Sequence, residues 1–207
     1  MKKLFLSAAL LLSIAGLAHA EKADSDKPTH IDYDQVDVDD VKQIRIFTGN
    51  VVLTRGTLIM KAAKAVLTQD PEGYDYVTLT AEGGPPATFR QKRDAPGDQW
   101  IEGEAQRIDY DGKIELAKLF TKAKVRRLEG TRVSDEVQNE FISYDSRKEF
   151  FSAKNDVSGV TIPGKGRGTM VIQPVLKPAA PAPAKSSAPV AVPNTPAPTT
   201  MPNPVGQ

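Results

Sequence analysis

The most regular stretch of this 207-residue chain reads Phe47-Thr-Gly-Asn-Val-Val-Leu-Thr-Arg-Gly-Thr-Leu-Ile-Met-Lys-Ala62. Apolar side chains recur at every second position on both sides of Arg55-Gly56, and residues two apart share one face of a β-strand. A glycine between two such runs is typical of a hairpin turn. The stretch therefore predicts two antiparallel strands with one apolar face and one polar face.

Two further segments carry related patterns. The second copy joins Ala87-Thr-Phe-Arg-Gln91 to Trp100-Ile-Glu-Gly-Glu-Ala-Gln-Arg-Ile-Asp-Tyr-Asp111, and the third runs from Ala123-Lys-Val-Arg-Arg-Leu-Glu-Gly130 to Phe141-Ile-Ser-Tyr-Asp145. A hairpin unit repeated along a chain predicts stacked strands that share an interior. Because no catalytic motif is set into these units, they indicate a container or conduit and not an enzyme.

Turn residues divide the region from Ile31 to Met170 at intervals typical of an all-β domain. A helix over residues 113–127 is the alternative for one segment, because neither glycine nor proline interrupts it. The analogy with the first copy favours strands there. The predicted turns lie at Thr48-Gly49-Asn50, Arg55-Gly56, Pro71-Glu-Gly73, Asp111-Gly112 and Glu129-Gly130.

The two ends of the chain differ in composition from its middle. Residues 1–20 contain Lys2-Lys3, an apolar run and Ala18-His19-Ala20, an order that predicts a cleaved signal peptide. The apolar run has about 14 residues, fewer than the about 20 that span a bilayer. Residues 174–207 are rich in proline and alanine, which predicts a disordered tail. Residues 21–173 are left as one β-domain.

Composition argues against several kinds of chemistry. The chain has no cysteine, so thiol catalysis and cysteine-ligated metals are excluded. His30 is the only histidine outside the predicted signal peptide, which leaves a histidine metal cluster or a Ser-His-Asp triad without partners. Removing Lys2 and Lys3 from the 27 basic residues leaves 25 against 26 acidic residues, so no nucleic-acid partner is indicated. We predict no catalytic residue, no metal site and no cofactor.

Two polar segments resemble binding motifs only in part. The acidic run from Asp32 to Asp40 has neither the glycine nor the closing glutamate of a calcium loop, which favours a solvated strand and turn. The segment Gly164-Lys-Gly-Arg-Gly168 lacks a Walker pattern and is interpreted as a flexible turn. Contact of that segment with anionic sugar-phosphate groups is the alternative.

The Phe47–Ala62 stretch resembles the OstA-like family of periplasmic lipopolysaccharide-transport proteins. The resemblance extends over about residues 28–160 and includes Thr29-His30-Ile31, Gly84-Pro-Pro-Ala-Thr-Phe-Arg-Gln91 and Glu102-Gly-Glu-Ala-Gln-Arg-Ile-Asp-Tyr110. The third copy departs from the family pattern, because Thr121-Lys122 stands where the family usually has Gly-Asn.

This resemblance implies an open β-jellyroll in the periplasm that carries lipopolysaccharide from the inner to the outer membrane along an apolar interior. The implied partners are lipopolysaccharide, through its lipid A acyl chains, and further copies of the chain in a head-to-tail oligomer. Inner-membrane and outer-membrane transport components with similar β-roll domains are implied as well. The two alternatives are a β-solenoid enzyme acting on envelope polysaccharide and an envelope scaffold without a lipid ligand.

The predicted binding residues come from two sources. The resemblance implies ligand-facing side chains at Thr29, Ile31, Phe89 and Tyr110. Each methylene withdrawn from water contributes about 0.8 kcal/mol, so acyl chains require a continuous apolar lining. Alternation independently predicts inward side chains at Phe47, Val51, Leu53, Leu58, Met60, Ile101 and Ile108.

Overall fold

The computed structural model describes Asp24 and residues 26–174. The predicted signal peptide and all but the first residue of the predicted tail therefore lie outside the described residues. No helix in the described part is long and apolar enough to cross a membrane. The strands are β1 His30–Asp32, β2 Gln35–Asp39, β3 Ile44–Arg55, β4 Leu58–Gln69, β5 Asp75–Thr80, β6 Ala87–Lys92, β7 Gln99–Ala105, β8 Arg107–Asp111, β9 Leu116–Glu129, β10 Arg132–Asp145, β11 Phe150–Lys154 and β12 Thr169–Ile172.

All twelve strands belong to one antiparallel sheet. Its main path runs β1-β3-β4-β5-β8-β9-β10-β11, with β2 on β3, β6 between β4 and β7, β7 also on β9, and β12 on β10. The first and last strands of this path do not pair with each other, so the described sheet is open. The prediction of an all-β chain built of stacked antiparallel strands is confirmed.

The sheet is rolled into two facing layers, which we term leaves. Each of the four long strands pairs with one set of strands along its first half and with another set along its second half, so it passes from one leaf to the other. Residues 44–48 of β3 pair with β2 while residues 52–54 pair with β1. The same division recurs in β4, β9 and β10. Leaf 1 contains β2, β5, β8, β11 and residues 44–48, 64–69, 116–120 and 141–145; leaf 2 contains β1, β6, β7, β12 and residues 51–55, 58–62, 124–129 and 132–138.

One prediction at the bend between the leaves was wrong. Thr48-Gly49-Asn50 is not a turn between strands but lies inside β3, where the register with β4 shifts between Thr48 and Val51. Gly49 and Asn50 have φ values of 80° and 46°, and two successive left-handed residues bend a strand while it continues. The Gly-Asn pair thus marks the fold line between the leaves.

The third copy bends at the same place without a glycine. Thr121 and Lys122 of β9 have φ values of 65° and 54°, so they adopt the conformation that Gly49 and Asn50 adopt in the first copy. The backbone ladder continues along the fold line through Gln106, whose N–H donates to the Thr121 carbonyl at 3.1 Å. Residues 116–127 are strand and not helix, as the first copy predicted.

The other predicted turns join strands as expected. Gly56 and Gly130 are the first central residues of two-residue hairpins, each with φ of 59°, a position where glycine is favoured. Chain segments also reverse at Asp70–Tyr74 and Asp111–Glu115, where Asp70 and Asp111 accept hydrogen bonds from backbone N–H groups. These hairpin ends bring both leaves to a common side, opposite the fold line.

Candidate functional site

The candidate site is the interior between the two leaves. Buried apolar side chains from both leaves form one continuous cluster, from Phe47 on β3 to Tyr144 on β10. The leaves meet within it: the rings of Phe89 in leaf 2 and Tyr144 in leaf 1 stack with centroids 6.4 Å apart. The predicted residues buried in this cluster are Phe47, Val51, Leu53, Leu58, Met60, Phe89, Ile101, Ile108 and Tyr110.

The two remaining predicted residues lie at one end of the interior. Ile31 on β1 is half-buried and packs against the cluster. Thr29 was predicted to lie on the entry strand, but β1 begins at His30, so Thr29 lies one residue before the strand. It is half-buried beside Leu53 and Arg55. At the opposite end of the sheet, Phe151 and Ala153 of β11 pack against the cluster in the same partly buried way.

Among the described residues, the side chains of the apolar cluster pack closely against one another. A cavity of about 10 Å³ lies between the leaves, lined by Leu53, Leu58 and Met60 of leaf 2 and by Leu67, Val77 and Tyr110 of leaf 1. That volume is close to the minimum for one water molecule. An apolar guest of any size therefore requires the leaves to separate or the side chains to repack.

On the side opposite the fold line, which we term the mouth, three arginines of leaf 2 contact leaf 1. Arg55 Nη2 donates to Tyr110 Oη at 3.1 Å. Arg93 Nη2 donates to Glu149 Oε2 at 2.6 Å. The guanidinium carbon of Arg127 lies 4.9 Å from the ring centroid of Phe151. These contacts close the mouth over the apolar cluster.

Sequence reasoning did not identify the mouth arginines, and of the leaf 1 interior it identified only Phe47, Ile108 and Tyr110. Leu67, Val77, Leu79, Leu119 and Ile142 are as buried as the predicted residues. The alternation that located Val51 and Leu53 in β3 recurs in β9. It would have located Ala117 and Leu119 on one side of the β9 bend and Ala123 and Val125 on the other. A search for apolar residues alone could not select Arg55 and Arg127, although they continue the inward positions of their strands.

The polar segments singled out by the sequence lie outside the interior. The strands β1 and β2 carry the acidic run on a largely exposed edge. The Gly164–Gly168 segment is an exposed loop before β12. Lys165 from this loop pairs with the buried carboxylate of Asp156, and the hydrogen bonds from Lys165 and Ser158 hold the pKa of Asp156 far below its usual range.

Neither polar segment supplies a metal site. Within the described residues no group of three or more His, Cys, Asp or Glu side chains is arranged to hold a metal ion.

Comparison with known proteins places this geometry in context. Residues 30–150 match the family described as LptA/(LptD N-terminal domain) LPS transport protein. The chain is 31% identical to the lipopolysaccharide export system protein LptA of Haemophilus influenzae over 173 residues, which are 84% of this chain and 91% of that protein. It is 30% identical to LptA of Escherichia coli K12 over 159 residues, 76% of this chain and 83% of that protein.

A solved structure matches the fold as well. The crystal structure of LptH from Pseudomonas aeruginosa, described as the LptA-homologous periplasmic component of the lipopolysaccharide transport device, superposes with a TM-score of 0.62. The match covers 73% of this chain and 99% of that chain at 29% sequence identity. The open, two-leaved sheet is therefore the fold of a lipopolysaccharide transport component.

Proposed function

This chain belongs to the LptA/LptD N-terminal domain family of lipopolysaccharide transport proteins, and we propose on that premise that it is a periplasmic, non-enzymatic carrier of lipopolysaccharide. The acyl chains travel between the two leaves from the inner toward the outer membrane. The observation that carries this proposal is the continuous apolar cluster, which extends from Ile31 at one end of the sheet to Phe151 at the other. Its length suits an apolar chain better than a compact polar substrate.

The dimensions and the energetics of the interior support this role. Eight strands at a spacing of about 4.8 Å give a sheet path of about 34 Å, so the apolar lining extends well beyond a single pocket. Each acyl methylene transferred from water to this lining gains about 0.8 kcal/mol, without any requirement for specific polar contacts. A lining of this kind binds fatty chains firmly and leaves them free to slide.

Site-specific photo-crosslinking tests the interior route. A photoreactive amino acid at Phe89 or Tyr110, both buried between the leaves, should capture lipopolysaccharide when the purified protein is incubated with it. The same photoreactive amino acid at Lys64 should not capture lipopolysaccharide, because Lys64 alternates with the inward residues Ala65 and Leu67 of β4 and belongs to the outer face. Equal labelling at all three positions would contradict transport through the interior.

We further propose that copies of the chain join head to tail through the two free ends of the sheet. The strands β1 and β2 form one end and β11 and β12 the other, and an unpaired strand edge can add a strand from another chain. The large exposed apolar residues of the described chain concentrate at these ends. Two of the twelve, Tyr74 and Ile114, lie at hairpin ends of leaf 1. The other ten are Tyr33, Val38 and Val41 at the first end and Phe150, Val157, Val160, Ile162, Met170, Val171 and Ile172 at the second.

The same edges would receive the β-roll domains of inner-membrane and outer-membrane components. A charge placed on the second edge should block assembly, since lysine on an edge strand opposes strand addition. We expect Ile172→Lys to abolish concentration-dependent oligomers in sedimentation velocity measurements. Ile114→Lys is the matched control, because Ile114 is also exposed but lies at a hairpin end of leaf 1 away from both edges. Loss of oligomers in both variants would attribute the effect to charge alone.

A further inference from the structure

The mouth of the interior contains a polar row that the proposed acyl route does not use. Three strands of leaf 2 carry inward-facing side chains that begin apolar at the fold line and end in arginine at the mouth. The sequences are Val51-x-Leu53-x-Arg55 on β3, Ala87-x-Phe89-x-Gln91-x-Arg93 on and after β6, and Ala123-x-Val125-x-Arg127 on β9. Each strand is thus amphiphilic along its length.

Cross-strand register places two of these arginines on one level. From β3 to β4, Arg55 pairs with Leu58. Between β4 and β6, Ile59 pairs with Arg90, so their neighbours Leu58 and Gln91 are also level. From β6 through β7 to β9, Gln91 pairs with Ile101, and Ile101 pairs with Arg127. Arg55 and Arg127 are therefore four strand spacings apart, about 19 Å along the sheet. The buried side chain of Gln91 lies between them on the same inward row. On the mouth side, the apolar cluster is therefore bordered by a row in which two cations and one amide alternate with the buried Leu58 and Ile101.

The guanidinium groups of this row retain hydrogen-bonding capacity. Among the described atoms, the Nε of Arg55, Arg93 and Arg127 is buried and donates no hydrogen bond. Arg93 is neutralised by Glu149, but Arg55 and Arg127 form no ion pair with any carboxylate in the described part of the chain. Two half-buried guanidinium groups thus face a tyrosine hydroxyl and a phenylalanine ring, which is an incomplete set of partners for guanidinium.

We propose that Arg55 and Arg127 form a headgroup site that binds phosphate groups of the glycolipid whose acyl chains occupy the interior. Guanidinium binds phosphate through paired, charge-assisted hydrogen bonds, and it uses Nε together with a terminal nitrogen in that geometry. An amphiphile with its chains in the apolar cluster carries its phosphates to the level where the inward arginines lie. When the leaves part, phosphate replaces Tyr110 and Phe151 as the partner of the two arginines.

This inference rests on the proposed carrier function, since it assigns the headgroup end of the same site. It also differs from a purely structural role for the arginines. If Arg55 and Arg127 only held the leaves together, their removal would change the affinity for every lipid equally. If they bind phosphate, their removal lowers affinity only for lipids that carry phosphate.

The test compares two forms of one lipid. Purified protein is titrated with phosphorylated lipid A and with the same lipid A after removal of its phosphates, and the ratio of the two dissociation constants is measured. We expect the wild-type protein to bind the phosphorylated form about tenfold more tightly or better, as charged hydrogen bonds predict. In Arg55→Gln/Arg127→Gln the ratio should fall close to one. Because a ratio is independent of the folded fraction, partial unfolding of the variant cannot imitate this result.

A matched variant controls for net charge. Arg107→Gln/Arg147→Gln removes two arginines from leaf 1 whose side chains are about half exposed and pair with Asp109 and Glu115. This variant should keep the wild-type ratio. A ratio that survives Arg55→Gln/Arg127→Gln, or one that is lost equally in the control variant, would overturn the headgroup site.

A third arm separates a lipid headgroup from free phosphate. Inorganic phosphate is added alone while the arginine Nε–H signals are followed by NMR, and no saturable change is expected below millimolar concentrations. Tight binding of inorganic phosphate that depends on Arg55 and Arg127 would identify a free-anion site and overturn the assignment to lipid.

If neither form of lipid A binds the wild-type protein, the carrier function itself is wrong. If both forms bind equally well, the carrier function stands and only the headgroup site fails.

Discussion

At the scale of single residues, Phe89 owes its place in the interior to a missing side chain on the neighbouring strand. Phe89 on β6 pairs with Gly103 on β7, and its ring fills the space that a Cβ at Gly103 would need, with Cδ1 only 2.7 Å from that position. Gly103 is therefore required for the predicted ligand-facing ring to lie flat in the interior. The stacking of this ring on Tyr144 also depends on it.

We expect Gly103→Ala to destabilise the fold by about 1–3 kcal/mol, because the added methyl group displaces the Phe89 ring. Phe89→Ala should cost about 3–5 kcal/mol through the cavity it leaves. In the Phe89→Ala background the alanine at position 103 has room, so the double variant should be no less stable than Phe89→Ala alone. Urea denaturation of the four proteins measures the coupling, and strictly additive costs would contradict the contact.

Asp156 gives a second prediction at this scale, in the pH dependence of stability. Its pKa is lowered in the folded protein by the hydrogen bonds from Lys165 and Ser158, so the stability it contributes is fully present above its unfolded value of about 3.9 and is lost as the pH falls toward the folded value. Urea midpoints from pH 7 to pH 2.5 should therefore fall less steeply below about pH 4 in Asp156→Asn than in the wild type. Lys165→Gln removes the largest cause of the lowered pKa, so its urea midpoints should also fall less steeply below about pH 4. Superimposable acid limbs in all three proteins would contradict the role of this pair.

At the scale of elements, the bend in β9 is more strained than the bend in β3. A non-glycine residue in the left-handed conformation costs about 1–2 kcal/mol, and Thr121 is β-branched, whereas Gly49 in the first copy avoids this cost. Part of the gain from a glycine is offset by about 0.5–1 kcal/mol of unfolded-state entropy. The exchange Thr121→Gly/Lys122→Asn should thus stabilise the protein by about 0.5–1 kcal/mol, a rise in Tm of about 2–4 °C.

Differential scanning calorimetry measures this rise. Thr88→Gly is the control, because Thr88 lies in an extended part of β6 and glycine there only weakens the strand. It should lower Tm. A fall in Tm for the Thr121→Gly/Lys122→Asn protein would mean that the Thr121 side chain stabilises the bend through packing.

Individual strands could be predicted from the sequence, but their arrangement into leaves could not. Period-two alternation located the hairpin of Phe47–Ala62 and most of the leaf 2 interior, because alternation is a local property of a strand. The Gly49-Asn50 pair has the same composition as a turn. Only the pairing of the flanking residues 48 and 51 with residues 64 and 62 of β4 shows that the strand continues. The contact between Phe89 and Tyr144 joins residues far apart in the chain, so no local pattern contains it. For the same reason the mouth contacts of Arg55, Arg93 and Arg127 became visible only in the folded protein.

At the scale of the whole molecule, transport requires the two leaves to move apart. The cavity of about 10 Å³ that the described residues line between the leaves cannot hold an acyl chain. The described sheet is open, and its leaves are joined at the mouth by side-chain contacts. At the fold line the leaves are joined by the polypeptide chain itself, because the long strands cross it. At the mouth the described residues join them only by side-chain contacts, so separating the leaves there costs the least free energy. We therefore expect loading to depend on parting of the two leaves at the mouth.

A covalent clamp across the mouth tests this motion. The chain has no cysteine, so Arg93→Cys/Glu149→Cys introduces the only two thiols, at positions whose side chains meet across the mouth. Joining them with a short, reducible bis-maleimide linker should prevent separation of the leaves and abolish loading of lipopolysaccharide, measured by co-purification. Reduction of the linker should restore loading.

The control pair isolates the motion from the chemistry of the linker. Gln99→Cys/Glu129→Cys places two thiols on neighbouring strands within leaf 2, where the original side chains also touch. Because both residues belong to one leaf, the same linker restrains nothing that must move, and loading should equal that of the unlinked protein. The unlinked Arg93→Cys/Glu149→Cys protein should load at least as well as the wild type, since it has lost one contact that closes the mouth. Normal loading in the clamped protein would show that acyl chains enter along the sheet from its free ends, with the mouth remaining shut.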